Sequence, residues 1–422
     1  MNEQVMAATG GGEVLAADGT PLKQCLQKTL RRRKLIAAGL VLPLGAFVFI
    51  TFMFPIVLML FRSVDNPIVH ENLPQTIAVL EQWDGKDVPG EEAFAALTAD
   101  LVSARKSKMI GRVATRINFE RSGVRSLFTS TARKAKEMEA PFKEALLKTN
   151  EKWGERELWV TIKRMGQPYT ASQYLAAVDM RFDVDNNVVD QDEDRQIYVT
   201  IFGRTLWISF LVTALGLLLG YPVAYLLATL PLKYSNLLMI MVLLPFWTSL
   251  LVRTTSWIVL LQTNGVLNDI FVFLHIVDEE GRIQMIYNQM GTVIAMTHIL
   301  LPFMVLPLYS VMKTIPPSYM RAALSLGANP VRAFVRVYAP QTVPGIGAGG
   351  LLVFILSIGY YITPALVGGR TGQMISNFIA FHMQKSLNWG LAAALGGILL
   401  VGVLVLYWLY SKIVGVDNMK MG

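Results

Sequence analysis

Residues 313–340 read KTIPPSYMRAALSLGANPVRAFVRVYAP, a basic segment without a single acidic residue, between two strongly apolar stretches. After a pair of prolines, Ser318 is predicted to cap a short helix that ends near Leu326, because Gly327 follows at once. A second helix is predicted from Val331 to Tyr338, leading into a proline. The segment is therefore expected to be an ordered pair of short helices, which is more structure than a simple connector needs.

Two explanations of this segment can be compared. An interfacial amphipathic helix would account for Arg332 and Arg336 on a polar face. It does not account for Ala322-Ala323-x-x-x-Gly327, in which small side chains precede a tight turn. That geometry suits a helix seated in a groove of another protein.

The surrounding composition is that of a membrane protein. The chain has 422 residues, of which 53% are hydrophobic and 16% charged, with a mean hydropathy of +0.44; soluble domains carry roughly 25% charged residues. Its net charge is +8, but residues 62–195 hold 22 acids and 20 bases, so the excess of positive charge lies beside the apolar runs. This pattern indicates a membrane protein and not a nucleic-acid-binding face.

Apolar runs long enough to cross a bilayer predict an all-α membrane protein with six transmembrane helices. They lie at about 35–61, 198–230, 236–262, 291–312, 343–366 and 389–411. The first run is 27 residues long, too long for the apolar part of a cleaved signal peptide, so a retained signal anchor is expected.

The basic residues near the spans predict the orientation. Those before the first span, those in 313–340 and those at the C-terminus fall on one side if there are six spans, so both termini are expected in the cytoplasm. The expected divisions are a cytoplasmic tail at 1–34, the first span at 35–61, an external (periplasmic) insert at 62–195, a five-helix core at 196–412 and a tail at 413–422.

The insert is expected to be mostly helical and, since the single Cys25 allows no internal disulfide, to fold by its own core or by docking onto a partner. Apolar residues recur in it at helical spacing, namely Phe94, Leu97, Leu101, Leu146, Leu147 and Trp153. The acid-rich stretch 183–194 has the alternating oxygen ligands of a calcium loop, but Val188 stands where such a loop needs glycine. A solvated acidic loop is the better interpretation.

No catalytic, metal or cofactor site is predicted. The four histidines are scattered, and the chain has no phosphate-binding G-x-x-x-x-G-K-[ST] loop. The predicted spans contain no Asp or Glu, which disfavours proton-driven transport. Arg253 lies deep in the third span after Trp247, Thr248 and Ser249, where it either lines a solute path or belongs to a structural hydrogen-bond network.

Ala322-Ala323-x-x-x-Gly327, followed after nine residues by Val337-Tyr338-Ala339-Pro340, is similar to the E-A-A-x-x-x-G-x(9)-I-x-L-P loop of permease subunits of bacterial ABC importers. Four further stretches, 245–253, 263–268, 300–309 and 362–369, resemble the first permease subunit of the spermidine/putrescine (polyamine) importer family. The resemblance covers the first span and about 196–412.

This resemblance implies the type I ABC importer permease fold in the bacterial inner (plasma) membrane. It also implies a second, related permease as heterodimer partner, two cytoplasmic ATP-binding subunits and a periplasmic solute-binding protein. The implied ATPase-coupling residues are Arg321, Ala322, Ala323, Gly327 and Pro340. The residues expected along the translocation path are Trp247, Thr248, Ser249, Arg253, Tyr360, Tyr361, Asn388 and Trp389.

The sequence departs from this family at three positions. Arg321 replaces the glutamate that begins the family's loop. Tyr360 and Asn388 stand where polyamine permeases often carry an acid, so only aromatic faces, those of Tyr360, Tyr361 and Trp389, remain for a polycation. An importer for another solute, such as an opine or an amino-acid derivative, is therefore a second possibility.

A membrane-anchored sensor and an intramembrane enzyme are two other functional classes. A membrane-anchored sensor with an external ligand-binding domain needs a cytoplasmic output domain, for which the cytoplasmic segments are too short. An intramembrane enzyme needs a nucleophile–base pair or a metal set at one depth, and none is evident. The leading expectation is thus a transport subunit that hydrolyses no ATP itself.

Overall fold

The computed structural model describes residues 22–414 and divides into two compact units between Phe61 and Arg62. In the first unit, a helical run continues through Leu22–Val48, the π-helical turn Phe49–Met53 and Phe54–Arg62. It contains the first expected span. Most of the expected terminal tails, 1–21 and 415–422, lies outside the described residues.

Eight short α-helices make up most of 62–195, as expected: Pro67–Asn72, Pro74–Gln82, Glu91–Lys106, Ile110–Glu120, Val124–Lys134, Phe142–Thr149, Arg156–Met165 and Ser172–Ala177. Three 3-10 turns (Ala135–Glu137, Glu151–Gly154, Glu193–Arg195) and an antiparallel hairpin of Met180–Phe182 with Val188–Asp190 complete it. We refer to 62–195 as the insert.

The insert has its own hydrophobic core, centred on aromatic rings. The rings of Phe94 and Trp159 lie 4.7 Å apart, and those of Phe128 and Trp153 lie 5.1 Å apart. Both indole N–H groups are satisfied, since Trp153 donates to Thr131 Oγ1 at 3.0 Å and Trp159 donates to the carbonyl of Trp153 at 2.8 Å. Burial of so many large side chains replaces the disulfide that this chain cannot form.

Near the acid-rich end of the insert, Asp179 has a structural role as a helix cap. Asp179 is buried with a φ of 60°, and its carboxylate accepts the backbone N–H groups of Ile197, Tyr198 and Val199 at 2.8–3.0 Å. It therefore caps the helix that begins at Tyr198, an interaction that contributes about 1 kcal/mol. Within the described residues, no group of His, Cys, Asp or Glu is arranged to hold a metal ion.

The rest of the second unit is helical. Its α-helices are Tyr198–Thr229, Leu232–Leu243, Leu250–Leu261, Val266–Phe273, Gln289–Thr314, Pro317–Ser325, Pro330–Ala333, Ala339–Gln341, Val343–Gly359, Ile362–Val367, Ile375–Gln384 and Trp389–Val414. The 3-10 turns Leu244–Trp247 and Glu279–Gly281 and the π-helical turn Phe334–Tyr338 lie between them. Of the described helices, five are long and apolar enough to span a membrane, or up to six if the pair Pro330–Gln341 and Val343–Gly359, bent by 60°, is one span. The predicted all-α membrane fold is confirmed.

Two predicted spans are interrupted. The one expected at 236–262 breaks at Thr248 and Ser249, where Pro245 sits in a 3-10 turn and the hydroxyl of Ser249 caps the following helix by accepting the N–H of Val252 at 3.2 Å. The one expected at 343–366 ends at Gly359, and a separate short helix starts at Ile362. Apolar composition continues through both breaks, so hydropathy alone does not reveal them.

Three long helices, Tyr198–Thr229, Gln289–Thr314 and Val343–Gly359, form the centre of the core. They approach closely because glycines face Met304: a Cβ on Gly220 would lie 3.1 Å from its Cγ, and one on Gly349 would lie 3.1 Å from its backbone oxygen. The glycines at the start of the fifth predicted span thus have a packing role, as small residues do between membrane helices.

Candidate functional site

The 313–340 segment contains a helix, Pro317–Ser325, that ends in a Schellman motif. Gly327 has a φ of +86°, its N–H donates to the carbonyl of Leu324 at 3.0 Å, and the N–H of Ala328 donates to the carbonyl of Ala323 at 3.1 Å. The expected cap by Ser318 is wrong. The helix starts earlier, at Pro317, a residue whose fixed φ suits the first helical position, so Ser318 already lies inside it.

The second part of the segment is a helix that packs against the helix Tyr198–Thr229. Asn329 caps it by accepting the N–H of Arg332 at 2.7 Å, and it continues through a π-helical turn to Gln341, past Pro340. Its aromatic side chains hold it to the helix Tyr198–Thr229, because the ring of Tyr225 lies 5.5 Å from that of Phe334 and 5.3 Å from that of Tyr338. The position of the segment is therefore fixed by packing.

The first helix, Pro317–Ser325, is largely exposed beside this packed helix. Arg321 and Ala322 are exposed and Ala323 is half-buried. Leu326, at the end of the helix, has 88% of its side chain exposed. A small, apolar and rigidly held surface of this kind can insert into a groove of another protein.

A second group of functional candidates lies in the membrane-spanning part. Arg253, in the helix after the Thr248–Ser249 break, has a buried Nε without a hydrogen-bond partner among the described residues. It lies within electrostatic range of His298 and of Tyr360. One turn further on, the indole N–H of Trp257 donates to Nδ1 of His298 at 3.1 Å. We call Arg253, Trp257, His298 and Tyr360 the span cluster.

Sequence reasoning missed Trp257 and His298. On sequence grounds the histidines are considered only as metal ligands, whereas a single histidine within a membrane span is itself a functional candidate. Trp257 also follows Arg253 by four residues, a spacing that places both on one helix face. Those two signals together would have found the cluster.

The structure separates the other expected path residues. Trp247, Thr248 and Ser249 are exposed at the helix break, and Tyr361 is exposed next to Tyr360. A different location holds Asn388 and Trp389. They line a cavity of about 890 Å³ beside the insert, and of the described residues that line it, none belongs to the span cluster or to the helix break.

Residues 216–414 match a family described as the binding-protein-dependent transport system inner membrane component. The chain is 32% identical over 252 residues to the spermidine/putrescine transport system permease protein PotB of Escherichia coli, covering 59% of this chain and 90% of that protein. It is 34% identical over 220 residues to PotB of Haemophilus influenzae, covering 51% and 76%. It is 30% identical over 222 residues to the inner membrane ABC transporter permease protein YdcU of Escherichia coli, covering 50% and 70%.

Together with the apolar helices, these similarities define the class of protein as a multi-pass permease of the inner membrane. The chain belongs to the family of binding-protein-dependent transport system inner membrane components, the permeases of ABC importers. The matched region begins at residue 216, so the insert lies outside it.

Proposed function

We propose that this chain is one transmembrane subunit of an ATP-driven importer for a polyamine or a related small organic solute. It pairs with a second, related permease, takes mechanical work from two cytoplasmic ATP-binding subunits and receives solute from a periplasmic binding protein. In this arrangement both termini and the 313–340 segment face the cytoplasm, and the insert faces outward. The similarity to spermidine/putrescine permeases supports the solute class.

The exposed helix of the 313–340 segment carries the proposal. Arg321, Ala322 and Ala323 would contact the groove of an ATP-binding subunit, while Gly327 fixes the end of the helix. Pro340 lies in the last turn before the 60° bend into Val343–Gly359, so a push on the segment reaches the helical core directly. The packing of Phe334 and Tyr338 against Tyr225 makes the segment stiff enough to transmit a displacement.

The proposed translocation path includes the span cluster together with Trp247, Thr248, Ser249 and Tyr361. Helix breaks expose backbone polar groups, which membrane proteins tolerate where they line a cavity or are buried in protein. Asn388 and Trp389 are left outside the proposed path, because the cavity they line is rich in basic residues and would repel a polycation.

Co-purification tests the proposal. Affinity purification of the full-length chain from membranes of its host is expected to bring down an ATP-binding subunit whose ATPase activity rises when the periplasmic binding protein and a polyamine are added together. A membrane-anchored sensor or an intramembrane enzyme would retain no such ATPase, and that result would refute the proposed coupling.

Arg253, whose buried Nε has no hydrogen-bond partner in the described part of the chain, favours a second candidate, a solute that carries a carboxylate, such as an opine or an amino-acid derivative. A charge-assisted hydrogen bond contributes about 1.5–3 kcal/mol. Under this candidate, Arg253→Gln is expected to lower uptake of a radiolabelled carboxylate solute at least roughly tenfold. Arg204→Gln is the matched control, since Arg204 also lies in a span but donates to the carbonyl of Arg370 at 2.9 Å. Equal uptake by both variants would eliminate the carboxylate solute.

A further inference from the structure

A large cavity lies between the helix Ile110–Glu120 of the insert and the turn 385–390 that precedes the last helix. Its volume is about 890 Å³, within the size range of small-ligand pockets. Arg62 and Trp389 both line it. Arg62 directly follows the first apolar run and Trp389 begins the last apolar helix, so the cavity lies level with the ends of membrane-spanning segments, where lipid headgroups are found.

The wall of this cavity carries a large excess of positive charge. Its ionisable lining consists of one acid, Asp65, and six basic side chains: Arg62, Lys108, Arg112, Arg116, Arg125 and Lys385. Across residues 62–414, only Arg116 of these six forms an ion pair, with Glu120 at 3.3 Å. The remaining basic groups repel one another unless an anion enters.

Arg116 is a buried residue of this wall, and its guanidinium is held in place by a hydrogen bond. Its residue is 7% exposed, and its Nε donates to Oδ1 of Asn66 at 2.8 Å, which fixes the direction of the guanidinium. Its Nη2 is buried and has no hydrogen-bond partner in the described part of the chain. A buried N–H group without an acceptor is unfavourable, and an anion held in the cavity would supply one.

In the same wall, the guanidinium of Arg62 lies 5.9 Å from the ring centre of Trp389. Such stacking holds an arginine in place while leaving its N–H groups free to donate. The cavity wall thus combines the buried, hydrogen-bonded Arg116 with Arg62 beside an aromatic ring and with several exposed cations. The planar guanidinium of arginine can donate two parallel hydrogen bonds to the oxygens of one phosphate group. These hydrogen bonds are charge-assisted.

We propose that this basic cavity binds a phosphate group, supplied by the headgroup of an anionic phospholipid of the outer leaflet. The location level with the membrane surface favours the lipid over a free anion, although the recognising chemistry is the same for both. A bound headgroup would join the insert to the last helix at the membrane surface. The choice of the outer leaflet rests on the proposed function, in which the insert faces outward, whereas the site itself involves neither the 313–340 segment nor the span cluster.

A binding experiment on the purified full-length chain in neutral detergent tests this proposal. Calorimetric titrations use phosphatidylglycerol micelles, phosphatidylcholine micelles and inorganic phosphate as separate probes. In Arg112→Gln/Lys385→Gln, affinity for phosphatidylglycerol is expected to fall roughly 30-fold, since a basic residue near an anionic lipid contributes about fivefold. Both side chains are exposed, so the fold should be retained.

The matched control is Lys134→Gln/Lys136→Gln, which removes the same charge from an exposed part of the insert that does not line the cavity. Its affinity should stay within about twofold of the original protein, a change of less than about one unit of thermal energy. Selective binding of phosphatidylglycerol over inorganic phosphate supports the lipid as source. Equal, competing binding of inorganic phosphate supports the site with a free anion as its ligand.

Two results would overturn the proposal. One is equal binding of phosphatidylglycerol and phosphatidylcholine without any binding of inorganic phosphate. The other is an equal loss of binding in the cavity variant and in the control. Neither result bears on ATPase coupling, because no partner subunit is present in the titration.

Discussion

Gly327→Leu is expected to lower ATP-driven solute uptake by the assembled importer roughly tenfold while leaving the chain inserted in the membrane. Gly327 has a φ of +86°, and a side chain in that conformation costs about 1–2 kcal/mol, where 1.4 kcal/mol is a factor of ten. Among residues 22–414, apart from its chain neighbours, no atom lies within 4 Å of where its Cβ would be, so the effect comes from the backbone and not from a clash. The helix end would shift, and with it the surface proposed to contact the ATP-binding subunit.

Gly327→Asn is the matched control, because asparagine tolerates the left-handed conformation far better than leucine does. It should retain most of the uptake. ATPase activity and uptake are measured together in proteoliposomes that contain the complete importer and its binding protein. Uncoupled or lost ATPase stimulation in the leucine variant alone is the expected pattern.

Arg321→Asp examines the same surface through charge. Arg321 is exposed, and aspartate reverses its charge. If both Arg321→Asp and Gly327→Leu transport as well as the original protein, the 313–340 segment does not couple to an ATPase.

The sequence predicts the membrane helices well because burial in lipid demands long apolar runs, which hydropathy detects directly. It does not predict the breaks at Thr248–Ser249 and Tyr360–Tyr361. These depend on local hydrogen bonds, such as the cap by Ser249, that leave the apolar composition unchanged. The same limit applies to Asp179, whose capping role depends on a fold that brings it against a helix starting 19 residues later.

The candidate sites differ in the same way. The 313–340 helices are local in sequence, so prolines, glycine and asparagine predict most of their bounds. The span cluster unites Arg253, His298 and Tyr360 from three separate segments, and only the packed structure brings them together. Asn388 and Trp389 were grouped with that path through resemblance, whereas the fold places them beside the insert.

Tyr360→Leu is expected to lower the uptake of putrescine or spermidine roughly 30-fold, given that a desolvated cation–π contact contributes about 2 kcal/mol. None of the residues on the proposed path is a carboxylate, so a polycation among them depends on aromatic faces. Tyr360, a member of the span cluster, is half-buried and follows directly after the helix Val343–Gly359. Leucine fills a similar apolar space and removes only the ring face and the hydroxyl.

Tyr360→Phe separates those two groups, since it keeps the ring and loses the hydroxyl. Uptake of radiolabelled putrescine into proteoliposomes, with binding protein in excess, should remain near that of the original protein in the phenylalanine variant and fall in the leucine variant. A loss of equal size in both would assign the role to the hydroxyl. A hydroxyl within electrostatic range of Arg253 fits a carboxylate solute better than a polyamine, so this comparison also decides between the two solute classes.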